Sequence, residues 1–352
     1  MSVRKNKWAL PEKGGALLIF LGALLILVIV VSTGMGYMRI SAIDVIKIIL
    51  SGIGGNHGHV AGSDVLYPYV VLDVRLPRVL TAAIVGAGLS IAGVVFQGIL
   101  LNPLADPYTL GISAGAAFGA SIALFLDIPF LGIYSVSIFA FFGAVATLFT
   151  VMSLSSSDGI ISSGNLILSG IIVASILSAG ISFIKYVADE QVSIIIFWLM
   201  GSFGSKTWVE VLLTFSFVSI GFVICTFFAR DLNIISLGDR SASSLGIDPN
   251  LVRIILLVTA SLITAVCVSV SGIIGFVGLI IPHLMRFIVG SDSRMLLPAS
   301  ALAGAILLLA SDTVTRAVLP VEIPIGVLTA LIGGPFFCYI FKKRQTVLDS
   351  GQ

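Results

Sequence analysis

Residues Gly201 to Trp208 read GSFGSKTW, a glycine-rich turn followed by Lys and Thr. A phosphate-binding loop has the spacing G-x-x-x-x-G-K-[ST], in which the second glycine lets backbone N–H groups surround the phosphates. Counted from Gly201, Lys206 occupies the position of that glycine, and no Gly-Lys pair precedes Thr207. The spacing therefore argues against a nucleotide site, and we expect this chain to bind no cofactor itself.

Arginines lie beside the ends of two apolar stretches. RLPR places Arg75 and Arg78 before one of them, and Asp312 and Arg316 lie four residues apart near the end of another. Residues at i and i+4 of a helix are neighbours, so Asp312 is expected to pair with Arg316. The arginines either extend to lipid headgroups or receive carboxylates from a partner protein, which a guanidinium binds through two hydrogen bonds.

Two polar stretches separate apolar segments. NPLADP, from Asn102 to Pro107, carries two prolines and an acid. Proline ends helices, so this stretch is either a tight turn or a constriction at the mouth of a pathway. LGDRSASSLGID, from Leu237 to Asp248, has residues that cap one or two short helices. It is either a connector without a function of its own or a docking surface for a cytoplasmic protein that supplies energy.

The composition indicates a membrane protein. The chain has 352 residues, of which 58% are hydrophobic and 10% charged, whereas soluble domains carry about 25% charged residues. Its three cysteines (Cys225, Cys267 and Cys338) lie in apolar runs, where they are expected to be core side chains without disulfide or metal roles. No set of catalytic residues is present, so we predict that the chain is not an enzyme.

Stretches of about 20 apolar residues, long enough to span a bilayer as helices, predict about ten transmembrane segments in a single transmembrane domain, 1–352. Two further stretches, Ser41–Leu50 and Val192–Met200, are amphipathic or too short to cross, and are expected at the interface and in a half-helix. The predicted spans are Gly15–Thr33, Val79–Leu101, Tyr108–Leu126, Pro129–Leu154, Leu166–Val187, Val209–Ala229, Leu251–Val270, Ile273–Val289, Leu296–Val318 and Ile323–Phe341.

The distribution of positive charge predicts the orientation. With both termini in the cytoplasm, 12 of the 19 Lys and Arg residues lie inside, as the positive-inside rule favours. In GISAGAAFG, glycines recur every fourth residue at Gly111, Gly115 and Gly119. This spacing favours close helix packing, with a role in lining a passage as the alternative.

The order and spacing of several motifs resemble the FecCD-type permeases of bacterial ABC importers for iron–siderophore complexes, haem and vitamin B12. The resemblance runs from Gly15 to Lys342. In SDSR, from Ser291 to Arg294, the family usually has His before the Arg. The motifs are RLPR, FQ…NPLADPYTLGISAGA, W-x-x-GSFG, LGDRSASSLGI, GFVGLIIPHLMR, LLPASALAGA and EIPIG…GGP.

The resemblance implies an all-α polytopic membrane protein with the type II ABC importer permease fold. It implies a homodimer in the bacterial inner membrane, with both termini in the cytoplasm. Two separate ATPase subunits are expected to bind ATP and Mg below the dimer. A periplasmic or lipid-anchored binding protein is expected to dock above it. Lipid surrounds the chain, and nucleic acid is not a partner.

The resemblance also implies roles for individual residues. Three arginines would receive acidic residues of the binding protein: Arg75, Arg78 and Arg316. Within a cytoplasmic coupling loop at 230–250, six residues would seat in the ATPase: Leu237, Gly238, Asp239, Ala242, Leu245 and Gly246. Four residues would close the inner mouth of the pathway: Asn102, Leu104, Ser163 and Gly164.

Two other classes of function compete with an importer permease. An ion-coupled secondary transporter needs unpaired acids at mid-membrane, and Asp312 is the nearest candidate. A membrane-embedded enzyme needs a catalytic set, which the sequence lacks. For an importer, a ferric chelate is the favoured cargo on family frequency, and haem and cobalamin stay open.

Overall fold

The computed structural model describes residues 12–53, 66–128, 132, 134–157, 160–318 and 321–349. A two-residue antiparallel ribbon, Ser156–Ser157 with Ile160–Ile161, joins two helices; the other regular elements of the described chain are helical. The helices, in chain order, are α1 (Glu12–Gly34), α2 (Ala42–Ile53), α3 (Tyr67–Ile99), α4 (Ile112–Leu126), α5 (Ser135–Ser155), α6 (Ser163–Val187), α7 (Val192–Leu199), α8 (Trp208–Phe227), α9 (Ala229–Ile235), α10 (Asp239–Ser244), α11 (Pro249–Ser271), α12 (Val277–Val289), α13 (Ser293–Ala317) and α14 (Ile325–Asp349).

Seven described helices are long and apolar enough to cross a membrane, namely α1, α3, α5, α6, α8, α11 and α13. Three shorter apolar helical stretches, α4, α12 and the part Ile325–Cys338 of α14, complete a set of ten in the described chain. The predicted fold class is therefore confirmed: an all-helical membrane protein with about ten helices of transmembrane length. The two further stretches form short helices, since α2 has 12 residues and α7 has eight, and the interfacial location expected for the first stays a prediction.

The most buried helices are α3, α11 and α13. Helix α13 packs along α3, and α1 packs against α13. Small residues permit the α3–α13 contact: a Cβ added to Gly86 would lie 2.3 Å from the carbonyl oxygen of Gly304. Glycines at such contacts let two helix backbones approach closely in lipid, where packing replaces the hydrophobic effect as the driving force.

The glycine series in GISAGAAFG makes a second close contact, between α4 and α5. A Cβ added to Gly115 would lie 2.5 Å from the carbonyl oxygen of Gly143, and one added to Gly119 would lie 2.1 Å from that of Phe139. The packing interpretation of this spacing is therefore confirmed. Gly111 has a different task, because it begins α4 with a left-handed backbone at φ 72°.

Helix α3 begins at Tyr67, 12 residues before the predicted start of that span at Val79. The helix continues through this charged, proline-containing region in a π-helical turn, Val70–Arg75. The N–H of Leu76 donates to the carbonyl of Val71, one residue further back than in an α-helix. This wider turn accommodates Pro77, which has no N–H to donate.

Helix α12 begins at Val277, four residues after the predicted start at Ile273. The residues between α11 and α12 leave helical geometry, with Gly272 at φ 71° and Phe276 at φ 69°. A right-handed helix cannot continue through a positive φ. This break contacts the turn after α7, since a Cβ added to Gly272 would lie 2.4 Å from the carbonyl oxygen of Trp198.

Candidate docking and coupling sites

A cluster of charged side chains lies where α3, α13 and the start of α14 meet, and we call it the arginine rim: Arg75, Arg78, Asp312, Arg316 and Glu322. Its centre is the pair of Arg78 and Asp312. The Nη2 of Arg78 lies 2.8 Å from Oδ1 of Asp312, and its Nε lies 3.1 Å from Oδ2. This two-point geometry is the strong form of an arginine–carboxylate contact.

Arg78 also contacts a second carboxylate, that of Glu322. The two carboxylates differ in exposure, because the Asp312 side chain is 1% exposed and that of Glu322 is 54% exposed. Arg78 itself is 16% exposed. The rim therefore has a buried, fixed half and a half that solvent reaches.

Arg75 and Arg316 face the end of α1. Arg75 donates from Nη1 to the carbonyls of Thr33 and Gly34, at 3.0 and 3.1 Å. Arg316 donates from Nη1 to the carbonyl of Met35 at 2.6 Å. The last carbonyls of a helix have no partner within the helix and carry its negative dipole end, so two cations satisfy them well.

The three predicted docking arginines therefore lie together, but they differ in access. Arg75 is buried, and Arg316 has little exposed surface. Arg316 also lies 3.4 Å from Asp312, measured from Nε to Oδ2. Of the three, Arg78 is the one bound to an exposed carboxylate.

The predicted coupling residues form a short helix with an exposed apolar edge. Helix α10 starts after Gly238, which has φ 104°, and its following turn contains Gly246 at φ 81°. Leu237 and Leu245 flank the helix and are 70% and 64% exposed. Exposed leucines that bracket a short helix are typical of an interaction surface.

Contacts on the other side of α10 hold it against the transmembrane helices. Ala242 is fully buried. Asp239 accepts a hydrogen bond from Nη2 of Arg253 on α11 at 2.8 Å. Asp239 belongs to α10 and Arg253 to α11, so this ion pair holds the coupling segment against α11.

A second connection joins the coupling end to α13. Asn233, on α9 just before the coupling segment, donates from Nδ2 to Oδ1 of Asp292 at 2.8 Å and accepts from the N–H of Ser293 at 2.9 Å. Asp292 caps α13 and pairs with Arg294 at 2.7 Å. Hydrogen bonds from Arg294 hold the pKa of Asp292 below its ordinary value, so the cap stays ionised at neutral pH.

The residues predicted at the inner mouth lie at the junction of α3, the NPLADP turn and α6. Asn102 caps the turn by accepting from the N–H of Leu104 at 3.0 Å. Ser163, the first residue of α6, donates to the carbonyl of Ile99 at 2.9 Å. Leu104 is 41% exposed, and open space surrounds Gly164. The end of α3 and the start of α6 are thereby joined.

A model of the FecCD transport family matches residues 24–343. This chain belongs to the FecCD transport family.

The chain is similar to proteins whose names or descriptions state a cargo. It is 41% identical to the cobalamin import system permease protein BtuC of Halobacterium salinarum, over 78% of this chain and 74% of that protein. It is 38% identical to the Fe(3+)-citrate import system permease protein YfmE of Bacillus subtilis (strain 168), over 92% and 94%. A solved structure described as an inward-facing conformation of a putative metal-chelate type ABC transporter matches with a TM-score of 0.81, 35% identity and coverage of 94% and 99%.

The chain is therefore a non-catalytic permease subunit of an ABC importer, a multi-pass membrane protein that works with ATPase and binding-protein partners. Its cargo belongs to the class of iron chelates, haem, cobalamin and related substrates. The expectation of an importer permease is confirmed at this level. The ion-coupled alternative needed an unpaired acid, and Asp312 instead contacts two arginines.

Two residues of these sites were missed by the sequence interpretation. Glu322 begins the motif EIPIG but lies 244 residues from Arg78, and Asn233 lies 59 residues from Asp292. The predicted pair of Asp312 and Arg316 is confirmed, yet Arg78 is the nearer partner of Asp312. Helical spacing predicts contacts only between residues three or four positions apart. The contacts of Glu322 with Arg78 and of Asn233 with Asp292 join residues far apart in the sequence, so no sequence pattern indicated them.

Proposed function

We propose that the permease passes an intact ferric chelate across the bacterial inner membrane. The observation that carries this is the near full-length similarity to a permease for Fe(3+)-citrate, which covers 92% of this chain. The similar solved structure is likewise described as metal-chelate type and covers 94% of the chain. Cobalamin, haem and molybdate are the competing cargoes. The relative that imports cobalamin aligns over 78% of this chain, and the molybdate import system permease protein MolB of Haemophilus influenzae aligns over 95% at 36% identity, against 38% for the Fe(3+)-citrate relative.

The permease is further proposed to work as a homodimer with both termini in the cytoplasm, and its docking and coupling sites are proposed to lie on opposite sides of the membrane. Helix α13 connects them, since its first turn contacts Asn233 beside the coupling segment and its last turns carry Asp312 and Arg316. Its 25 residues correspond to about 37 Å of helix at 1.5 Å per residue, enough to cross a hydrocarbon core of about 30 Å. With the coupling segment inside, the arginine rim faces outward.

At the cytoplasmic end, the coupling segment is proposed to seat in the ATPase. The exposed Leu237 and Leu245 would enter an apolar recess of that subunit. The pair of Asp239 and Arg253 and the link through Asn233 would carry its motion to α11 and α13. ATP and Mg are bound by the partner. Asn102, Leu104, Ser163 and Gly164 are proposed to narrow the pathway at this end.

At the outer end, the arginine rim is proposed to receive carboxylates from the lobes of the binding protein. Arg78 makes the direct contact, because it alone of the three is bound to an exposed carboxylate. Arg75 and Arg316 keep the end of α1 in position and supply positive potential. Such a potential steers an acidic partner toward the rim.

The cargo is tested by uptake into proteoliposomes that contain the permease, its ATPase subunit and its binding protein. We expect ATP-dependent uptake of radiolabelled ferric citrate and of other ferric chelates. Hemin, cobalamin and molybdate are the comparison cargoes. Vesicles with an ATPase whose phosphate-loop Lys is replaced are the control, and they should take up none. Uptake of cobalamin or hemin without any uptake of ferric chelates would replace the proposed cargo.

A further inference from the structure

The guanidinium of Arg78 holds its two carboxylates with unequal strength. The contact with Asp312 is bidentate and almost fully buried. The contact with Glu322 joins one nitrogen to an acid that is 54% exposed. Exposed ion pairs contribute little to stability, and competing charges in solution replace them readily. Glu322 is thus the exchangeable partner, and Asp312 is the permanent one.

A cavity of about 260 Å³ opens beside this exchangeable contact. Its wall includes the charged side chains of Arg78, Asp312 and Glu322. Ser202, Phe203 and Pro324 also line it. The cavity therefore offers space for one further side chain next to a guanidinium that already binds carboxylates.

The backbone next to Glu322 is tied to the turn after α7. The N–H of Ile325 donates to the carbonyl of Gly201 at 3.2 Å, and the N–H of Gly326 donates to that of Met200 at 3.0 Å. Ser202 in turn donates its N–H to the carbonyl of Ser271 at 2.8 Å, at the end of α11. A displacement of Glu322 acts on a segment that contacts both α7 and the break between α11 and α12.

We propose that Glu322 is an internal substitute for the partner's carboxylate. An acidic side chain of the binding protein enters the cavity and replaces Glu322 on Arg78, while Asp312 keeps its contact. The number of carboxylates on Arg78 is unchanged by this exchange, so charge balance at the rim is preserved. The released Glu322 frees the start of α14 and reports docking to the turn after α7. The proposal rests on the docking role of Arg78 given above.

The test measures binding of the importer's own binding protein to the permease in nanodiscs. Because Glu322 competes with the incoming acid, Glu322→Gln should tighten binding by about two- to five-fold, the value of one exposed ion pair. Glu322→Asp should tighten binding as well. The shorter aspartate side chain no longer reaches Arg78, although it keeps the negative charge of the glutamate. Glu190→Gln, an exposed acid without a contact to the rim, is the matched control and should bind like the unmodified chain.

A second readout follows the start of α14 directly. A spin label at Val321, which is 72% exposed, should gain mobility in Glu322→Gln and, in the unmodified chain, on addition of the binding protein. Tightening by Glu322→Gln but not by Glu322→Asp, with no change in label mobility, would mean simple charge repulsion and would overturn the exchange.

Arg78→Lys separates this proposal from the docking role on which it rests. Lysine keeps the charge but loses the two-point contact, so binding should weaken by about tenfold. Unchanged affinity in Arg78→Lys would reject docking through Arg78 altogether. Weakened binding in Arg78→Lys, together with unchanged affinity in both Glu322 variants, would reject only the substitution by Glu322.

Discussion

Asp312 is an acid almost fully enclosed by protein within a transmembrane helix, and two arginines make that position tolerable. One of them, Arg316, is its neighbour on α13, and the other, Arg78, comes from α3. An ionised carboxylate in an apolar surrounding is costly unless it is paired and hydrogen-bonded. Here the acid is also the shared counter-charge of two cations that are themselves largely buried.

Replacing Asp312 should therefore destabilise the permease strongly. Asp312→Asn leaves two arginines without their shared counter-charge, and breaking a buried ion pair costs about 3–5 kcal/mol. Thermal unfolding in detergent measures this. The double variant Asp312→Leu with Arg78→Met removes both partners of the closest contact, and it should lose less stability than the two single changes together. Additive losses would mean that the pair contributes no coupling.

At this scale the sequence predicts pairs only when they are local. The pairing of Asp312 with Arg316 follows from their separation of four residues. The contacts of Arg78 with Asp312 and Glu322 span 234 and 244 residues, so they depend on how α3, α13 and α14 are arranged. Hydrophobic periodicity contains no information on that arrangement.

Among the helices, the contact between α3 and α13 depends on the absence of side chains. Gly86 and Gly304 face each other, and a Cβ on Gly304 would also lie 1.9 Å from Oγ of Ser90. Neither the backbone carbonyl nor the neighbouring helix can move away cheaply, because both helices are buried along most of their length. The two helices therefore fix each other's position, and with it the position of the arginine rim.

Gly86→Ala should separate α3 from α13. Overpacking of this kind costs about 1–3 kcal/mol, and we expect a lower unfolding temperature and weaker binding of the binding protein. Gly22→Ala on α1 is the matched control, since nothing lies within 4 Å of a Cβ added there. That variant should be neutral or slightly more stable. Equal behaviour of the two variants would contradict the packing role of Gly86.

The helices themselves were predictable, but several of their boundaries were not; α4, for example, begins four residues after the predicted Tyr108, and α14 ends eight residues after the predicted Phe341. Length and hydropathy suffice for a span, because a bilayer demands about 20 apolar residues in a helix. The start of α3 at Tyr67 was missed because a π-helical turn accommodates Pro77. The start of α12 at Val277 was missed because Phe276 has a left-handed backbone. Phe276 is apolar, so hydropathy alone places it within the helix.

In the whole molecule, α13 is one of the helices that reach from the coupling end to the arginine rim. Its first residues are held to α9 by Asn233, and its last turns carry Asp312. Two packed ends of one continuous helix move together more readily than two ends joined through loops. Motion of the coupling segment should therefore reach the rim through Asn233, Asp292 and α13.

Asn233→Ala tests this route. The change removes one donor to Asp292 and the acceptor for the N–H of Ser293, so α9 can move without α13. Coupling through a contact of this kind is worth about 0.5–2 kcal/mol, and we expect the amount of cargo imported per ATP hydrolysed to fall by about two- to thirty-fold in proteoliposomes.

Thr150→Ala, at an exposed position of α5 whose hydroxyl donates to the carbonyl of Ala146 in the same helix, should keep the ratio of the unmodified chain. If Asn233→Ala lowers the unfolding temperature while this ratio stays unchanged, Asn233 only supports the fold. If the ratio falls while the unfolding temperature holds, the hydrogen bonds of Asn233 transmit motion. Because α13 ends at the rim, that outcome also requires the binding protein to stimulate ATP hydrolysis less in Asn233→Ala than in the unmodified permease.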